Sequence, residues 1–165
     1  MADLPTNLAA ILGRCDAGEV SPEVALMEML IASEDDVAVA GFLDGAAGVS
    51  SSAALLATLM RANAAGCARI VAMLRSGVDS PPEGGSVDDG IAFCARLFDW
   101  SVQQSEESSV ALYSLGNPQL LDAATREIVD VLEAWGVLGS EREALDIGCG
   151  IGRMEAVLAL RLAGI

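Results

Sequence analysis

The segment that most constrains the fold is a glycine-spaced turn near the end of this 165-residue chain. The apolar run at residues 144–147 (ALDI) leads directly into Gly148-Cys149-Gly150-Ile151-Gly152. This order predicts a strand, a glycine turn and a helix, which form the first half of a βαβ unit. Ligands of such units bind beyond the carboxyl end of the strand, so a site is expected at this turn. The apolar residues of the predicted helix are Met154, Val157, Leu158 and Leu162.

The spacing of the glycines distinguishes between classes of ligand. Dinucleotide-binding folds use GxGxxG and hold a pyrophosphate at the helix N-terminus. Here the spacing is GxGxG, and Arg153 stands where the third dinucleotide glycine would be. Asp146, two residues before the first glycine, suits a positively charged ligand better than a pyrophosphate. The alternatives are a nicotinamide- or flavin-binding fold, which the spacing disfavours, and a tight turn that binds no ligand.

The pattern Asp146-x-Gly148-x-Gly150-x-Gly152, inside LDIGCGIGR, closely resembles motif I of the class I S-adenosylmethionine-dependent methyltransferases. In that family the glycine turn lets the backbone pass close to the amino-acid end of the cofactor. The motif acid helps to bind the same end, directly or through water. The resemblance therefore implies that Asp146, Gly148, Gly150 and Gly152 bind S-adenosylmethionine. Cys149 fills a variable position and would contact the cofactor mainly through its backbone.

The resemblance extends upstream of the motif. Residues 113–132 (YSLGNPQLLDAATREIVDVL) look like the helical lead-in that many bacterial methyltransferases place before motif I. This part often covers the cofactor or shapes the substrate entrance in such proteins, which implies a cofactor-binding role for Tyr113. The alternative is a tyrosine that packs in a core. The resemblance covers roughly residues 98–165.

A complete domain of that family needs more strands than the one predicted here. An acid that holds the ribose would be expected about 20 residues beyond the motif, and thirteen residues follow Gly152. We therefore expect an N-terminal fragment of a methyltransferase that is inactive by itself. The sequence does not identify a catalytic residue.

The rest of the chain predicts helices. Ser21-Pro22-Glu23, Glu34-Asp35-Asp36 and Asn117-Pro118 are start signals, because Ser, Asp and Asn cap free N–H groups and Pro fits the first turn. One long helix is predicted for residues 50–75, and another begins at Asp88-Asp89. In the helix that begins at Ser21-Pro22-Glu23 the expected inward residues are Val24, Met27, Leu30 and Ile31. In the helix after Asp88 they are Ile91, Cys94, Leu97, Phe98 and Val102.

Residues 76–86 (SGVDSPPEGGS) contain two prolines and three glycines, a composition that opposes both helix and sheet. They predict a linker between two modules, with a surface loop as the alternative. The predicted organisation is a helical domain at 1–75, the linker at 76–86, and a helical lead-in with the start of a methyltransferase domain at 87–165. The predicted fold class is mainly α, followed by the first strand–turn–helix of an α/β Rossmann-like fold.

The charge of the chain bears on its partners. A formal net charge of -15 repels phosphate backbones, so we expect neither nucleic acid nor an anionic membrane as a partner. The methyl acceptor is then expected to be a small molecule or a protein. The four cysteines are widely spaced and the chain has no histidine, so no metal site is predicted. The absence of a secretory signal predicts a cytoplasmic protein.

A second class of function is consistent with the same sequence. Residues 1–75 would then be a helical interaction module that forms a homodimer, and the glycine turn a cofactor-binding remnant without catalysis. The module interpretation predicts that residues 1–75 fold and self-associate alone. The enzyme interpretation requires further strands in sequence beyond Ile165.

Overall fold

The computed structural model of the chain describes residues 4–76 and 84–165. These residues are mostly helical, which confirms the predicted mainly helical class. Contacts divide the chain into two compact units, Met1–Asn117 and Pro118–Ile165. Residues 77–83, most of the predicted linker, lie outside the described residues, so the role of that segment stays a prediction.

The first unit is helical throughout its described residues. It consists of α-helices joined by short turns, with one short 3-10 turn near its end. The bounds are Leu4–Asp16 (α1), Pro22–Ser33 (α2), Asp36–Ala46 (α3), Ser51–Ala62 (α4), Ala64–Arg75 (α5), Val87–Gln104 (α6), Glu106–Val110 (α7) and Leu112–Ser114 (the 3-10 turn).

Two of these helices, α2 and α3, begin at capping residues that the sequence predicts, and α6 begins at a cap that it does not predict. The Ser21 hydroxyl accepts a hydrogen bond from the N–H of Val24. The Asp35 carboxylate likewise accepts one from the N–H of Ala38. At the start of α6, Ser86 and Asp89 each bond to the other's backbone N–H. Each cap satisfies N–H groups that lack a partner inside the helix.

Helix α2 is the centre of the first unit, because it contacts α1, α3, α4, α5 and the 3-10 turn. Its fully buried side chains are Ala25, Leu26, Met29 and Leu30. Cys67 on α5 is also fully buried, and this burial raises the pKa of its thiol to about 11. The thiol is therefore protonated at neutral pH and packs as a small apolar group.

The helix predicted for residues 50–75 is two helices, α4 and α5, bent by 87° at Asn63. Asn63 has a non-helical backbone (φ −120°, ψ 27°), and its side-chain amide donates to the carbonyl of Leu59 at 2.9 Å. Its Oδ1 accepts a 2.7 Å hydrogen bond from the amide of Asn117. These two bonds give hydrogen-bond partners to both ends of the Asn63 side-chain amide at the point where the helix is interrupted.

Across the described ranges, no single helix has the length and apolar character to cross a membrane. The pair α4 and α5 meets both criteria only when its two bent halves are taken together.

Helix α6 forms where it is predicted, but its apolar face does not turn inward. Ile91 is 63% exposed, Phe98 is 57% exposed, and Cys94 also lies at the surface. Leu97 is half-buried, and Val102 is exposed. The predicted inward face is therefore wrong, because the described neighbours of α6 cover a face that includes Ser101.

The second unit combines helices with a parallel pair of strands. The strands pair Gly139 with Leu162 and Glu143 with Gly164, with an irregularity between the two pairs. Residues 144–161 connect them through the glycine turn and a short helix, as parallel strands require a crossover. The bounds are Pro118–Ala134 (α8), Gly139–Glu143 (β1), Arg153–Leu158 (α9) and Leu162–Gly164 (β2).

The strand lies earlier in the chain than the sequence predicts. The N–H of Ala144 still donates to the carbonyl of Gly164 at 3.0 Å, but pairing goes no further. Leu145 and Ile147 are 83% and 88% exposed, because no apolar layer of the described residues covers them. The predicted helix is shorter than expected, since Leu162 leaves it for β2. The sequence predicts one strand, whereas the structure has two, because Leu162–Gly164 forms β2 and pairs with β1.

Candidate functional site

The glycine turn requires glycine at each of the three positions of its GxGxG spacing. Gly148, Gly150 and Gly152 have φ values of 86°, 59° and 76°, in the left-handed region that other residues rarely adopt. The N–H of Gly152 donates to the carbonyl of Cys149 at 3.0 Å and closes the turn. The carbonyl of Gly152 then accepts from Ala156 at 3.0 Å, which starts α9. The predicted order of strand, turn and helix is thus present around this motif.

Two carboxylates lie close to Cys149 in the turn. The negative charge of Glu155 and the interaction of its carboxylate with the thiol raise the pKa of Cys149. Desolvation and the charge of Asp146 add smaller effects in the same direction. Asp146 is half-buried, whereas Gly148, Cys149 and Gly150 are exposed. The turn is therefore an open, negatively charged surface that suits a cationic group.

Glu155 is the residue of this site that the sequence analysis did not single out. Its Oε2 is buried and has no hydrogen-bond partner among the described residues. A glutamate three residues after an N-cap usually accepts from the cap's N–H. Here that N–H, on Gly152, already donates to Cys149, so the acceptor is left unpaired. The spacing of Gly152 and Glu155 is the signal that could have identified it.

Two arginines, one at the start of α9 and one after its end, contact α8. Arg153 donates from Nη1 to the Thr125 hydroxyl at 3.4 Å, and that hydroxyl donates in turn to the carbonyl of Leu121 at 2.8 Å. Arg161 contacts the Glu133 carboxylate at 3.1 Å. The Arg153 side chain is thus directed to Thr125 on α8.

The predicted site residues do not all come from one unit. Asp146, Gly148, Cys149, Gly150 and Gly152 lie together in the turn of the second unit. Tyr113 lies in the 3-10 turn of the first unit, where its side chain is half-buried. Its cofactor-binding role stays a prediction.

The described residues contain no group of three or more Cys, Asp or Glu side chains placed to hold a metal ion. Comparison of the chain with protein-family models, with curated proteins and with solved structures finds no match.

The environment of Cys149 gives a prediction for thiol reactivity. In a Cys94→Ser chain, Cys149 is the exposed thiol, since Cys15 and Cys67 are buried. Glu155→Gln removes the negative charge that raises its pKa. A larger thiolate fraction is then expected at pH 8, and the thiolate is the reactive form. The rate of alkylation by the neutral reagent N-ethylmaleimide should rise, and its pH profile should move to lower pH.

The matched control is Glu127→Gln, which removes an exposed carboxylate from α8. It should leave the pH profile of Cys149 unchanged. An identical profile for Glu155→Gln and the parent chain would show that Glu155 does not act on the thiol.

Proposed function

We propose that this chain belongs to an S-adenosylmethionine-dependent methyltransferase and that its glycine turn binds the amino-acid end of the cofactor. The observation that carries the proposal is the unpaired, buried Oε2 of Glu155 beside a turn of three left-handed glycines. A buried acceptor without a partner costs free energy, and a bound donor would remove that cost.

The donor that fits this acceptor is an ammonium group. An ammonium carries three N–H donors and a positive charge, and the turn presents two carboxylates, those of Asp146 and Glu155. Charge-assisted hydrogen bonds of this kind are the stronger class. S-adenosylmethionine carries an α-ammonium, a sulfonium and an α-carboxylate, so two of its three charges match the negative charge of the site.

The local topology supports the same assignment. The turn connects β1 to α9, and β2 returns parallel to β1. Parallel βαβ units bind ligands at the carboxyl end of their strands, and this is where the three glycines lie. We propose a Rossmann-like methyltransferase fold on this basis.

S-adenosylmethionine supplies a methyl group that is already activated by its bond to a sulfonium. The residues of this chain then have to bind and orient. Asp146 and Glu155 would accept hydrogen bonds from the ammonium, and the glycines would let the backbone approach the ligand without a Cβ in between. Orientation of this kind lowers a reaction barrier by up to roughly 7–11 kcal/mol in favourable cases. The net charge of -15 favours a neutral or cationic methyl acceptor, either a small molecule or a protein.

The proposal is tested by NMR titration of the full chain with S-adenosylmethionine. The site is open and touches one end of the ligand, so we expect a dissociation constant in the millimolar range. The amide signals of Gly148 to Gly152 should shift with S-adenosylmethionine and with L-methionine, which has the same amino-acid end. Adenosine, which lacks that end, should leave them in place.

Gly150→Val should abolish these shifts, because a β-branched residue disfavours the φ of 59° at this position. Glu155→Gln should weaken binding about tenfold through the loss of a charged acceptor. The control Ile151→Val changes the adjacent residue and should bind like the parent chain. Unchanged affinity in Gly150→Val, or shifts with adenosine alone, would contradict the proposal.

A further inference from the structure

The first unit contains a cavity of about 340 Å³ that the proposed function does not use. Helices α5 and α6 form two of its walls, and α7 and the 3-10 turn contribute the rest. Such a volume lies at the lower end of the range for small-molecule sites. Its apolar walls are Ile70, Met73 and Leu74 from α5, and Leu97, Phe98 and Trp100 from α6.

The lining of the cavity defines the charge of its ligand. None of the lining residues that the structure describes is charged. A charged ligand would therefore lose its hydration without gaining a counter-charge, which is costly. The ligand is expected to be neutral.

Serines define the polar group of the ligand. Ser101 donates its hydroxyl proton to the carbonyl of Phe98 at 2.9 Å, and Ser109 donates to the carbonyl of Glu106 at 2.6 Å. Because both protons are committed to the backbone, the hydroxyls present lone pairs to the cavity, which accept hydrogen bonds. The ligand is expected to carry a donor, either a hydroxyl or an N–H.

We infer that this cavity binds a small neutral aromatic molecule that carries one hydroxyl or N–H donor. The faces and edges of Phe98 and Trp100 pair with an aromatic ring. The volume of about 340 Å³ limits the ligand to one or two rings. This inference stands apart from the proposed function, because all lining residues belong to the unit Met1–Asn117 and the glycine turn belongs to the other unit.

The test uses the full chain and 1-naphthol as the probe. The two tryptophans of the chain give two indole N–H signals in NMR spectra. Trp100 lines the cavity, whereas Trp135 is 71% exposed in the other unit and serves as an internal reference. We expect 1-naphthol to shift the Trp100 signal in a saturable way and to leave the Trp135 signal in place. Trp100→Phe assigns the two signals.

Calorimetry with two related probes tests the inferred chemistry. Naphthalene has the same rings without a donor and should bind about threefold to tenfold more weakly, as the loss of one hydrogen bond predicts. The carboxylate 1-naphthoate should bind at least tenfold more weakly than 1-naphthol. The double variant Ser101→Ala, Ser109→Ala should weaken the binding of 1-naphthol about threefold to tenfold and leave the affinity for naphthalene unchanged.

Two variants on α6 test the position of the site. Leu97→Trp fills the cavity and should reduce 1-naphthol binding at least tenfold. Ile91→Trp places the same side chain on the exposed part of the helix and should bind like the parent chain. Circular dichroism should show equal helix content in both variants. If Leu97→Trp unfolds, the Ser101→Ala, Ser109→Ala variant still tests whether 1-naphthol binds in the cavity.

Several results would overturn the inference. They are saturable shifts of Trp135 in place of Trp100, equal affinity for 1-naphthol and 1-naphthoate, and no binding of 1-naphthol up to millimolar concentration. A free chain that sediments as a dimer and does not bind 1-naphthol would also overturn it. In that case a second copy of the chain, and no small molecule, covers the apolar face of α6.

Discussion

Gly66→Ala is expected to lower the free energy of unfolding by about 3 kcal/mol, as severe overpacking does. A Cβ at this position would overlap the carbonyl group of Leu115. That carbonyl is backbone, so it cannot rotate away as a flexible side chain would. Leu115 is itself buried at 1% exposure and held in the left-handed region at φ 54°. Helix α5 would therefore have to move away from the segment that follows the 3-10 turn.

The measurement is urea unfolding of the full chain followed by far-ultraviolet circular dichroism. Gly41→Ala in α3 is the matched control, because a Cβ there meets nothing within 4 Å. Alanine is the better helix former, so this control should stabilise the chain by about 0.5–1 kcal/mol. If both substitutions moved the unfolding midpoint alike, the close approach of Gly66 and Leu115 would be wrong.

This contact illustrates what the sequence could not predict. Gly66 lies within an apolar helical stripe and carries no local signal of its own. Its requirement for glycine comes from Leu115, which is far along the chain and meets Gly66 only after folding. The same holds for Asn63, whose bond to Asn117 accompanies the bend between α4 and α5. Local propensity carries no information about partners at this separation.

Helix starts were predicted well because capping is a local interaction. Ser21 and Asp35 each accept a hydrogen bond from the N–H three residues on, so the local sequence contains both partners. Helix faces were predicted less well. In α2 the sequence indicates Val24 and Ile31 as inward, whereas Ile31 is 41% exposed. A helix in contact with five neighbouring elements is apolar on most sides, so its periodicity identifies no single face.

The candidate site was also predicted in part. The three glycines adopt the left-handed backbone that the GxGxG spacing requires. The strand was misplaced, because the sequence assigns β-structure to the apolar residues 144–147, while the polar residues of β1 form the pairing with β2. Glu155 was missed because its unpaired state depends on where the N–H of Gly152 donates, and only the folded turn determines that.

Leu56→Ala is expected to destabilise the chain by about 3 kcal/mol, whereas Leu55→Ala should change stability by less than about 0.5 kcal/mol. The two leucines are adjacent in α4, so the change in helix propensity is similar for both. Leu56 has 0% exposure on a helix that contacts α1, α2 and α3, while Leu55 is 52% exposed. The difference between the two variants therefore measures core packing, as the lost burial of three carbon atoms plus the cavity left behind. Equal unfolding midpoints in urea would contradict the burial of Leu56 in the core of the first unit.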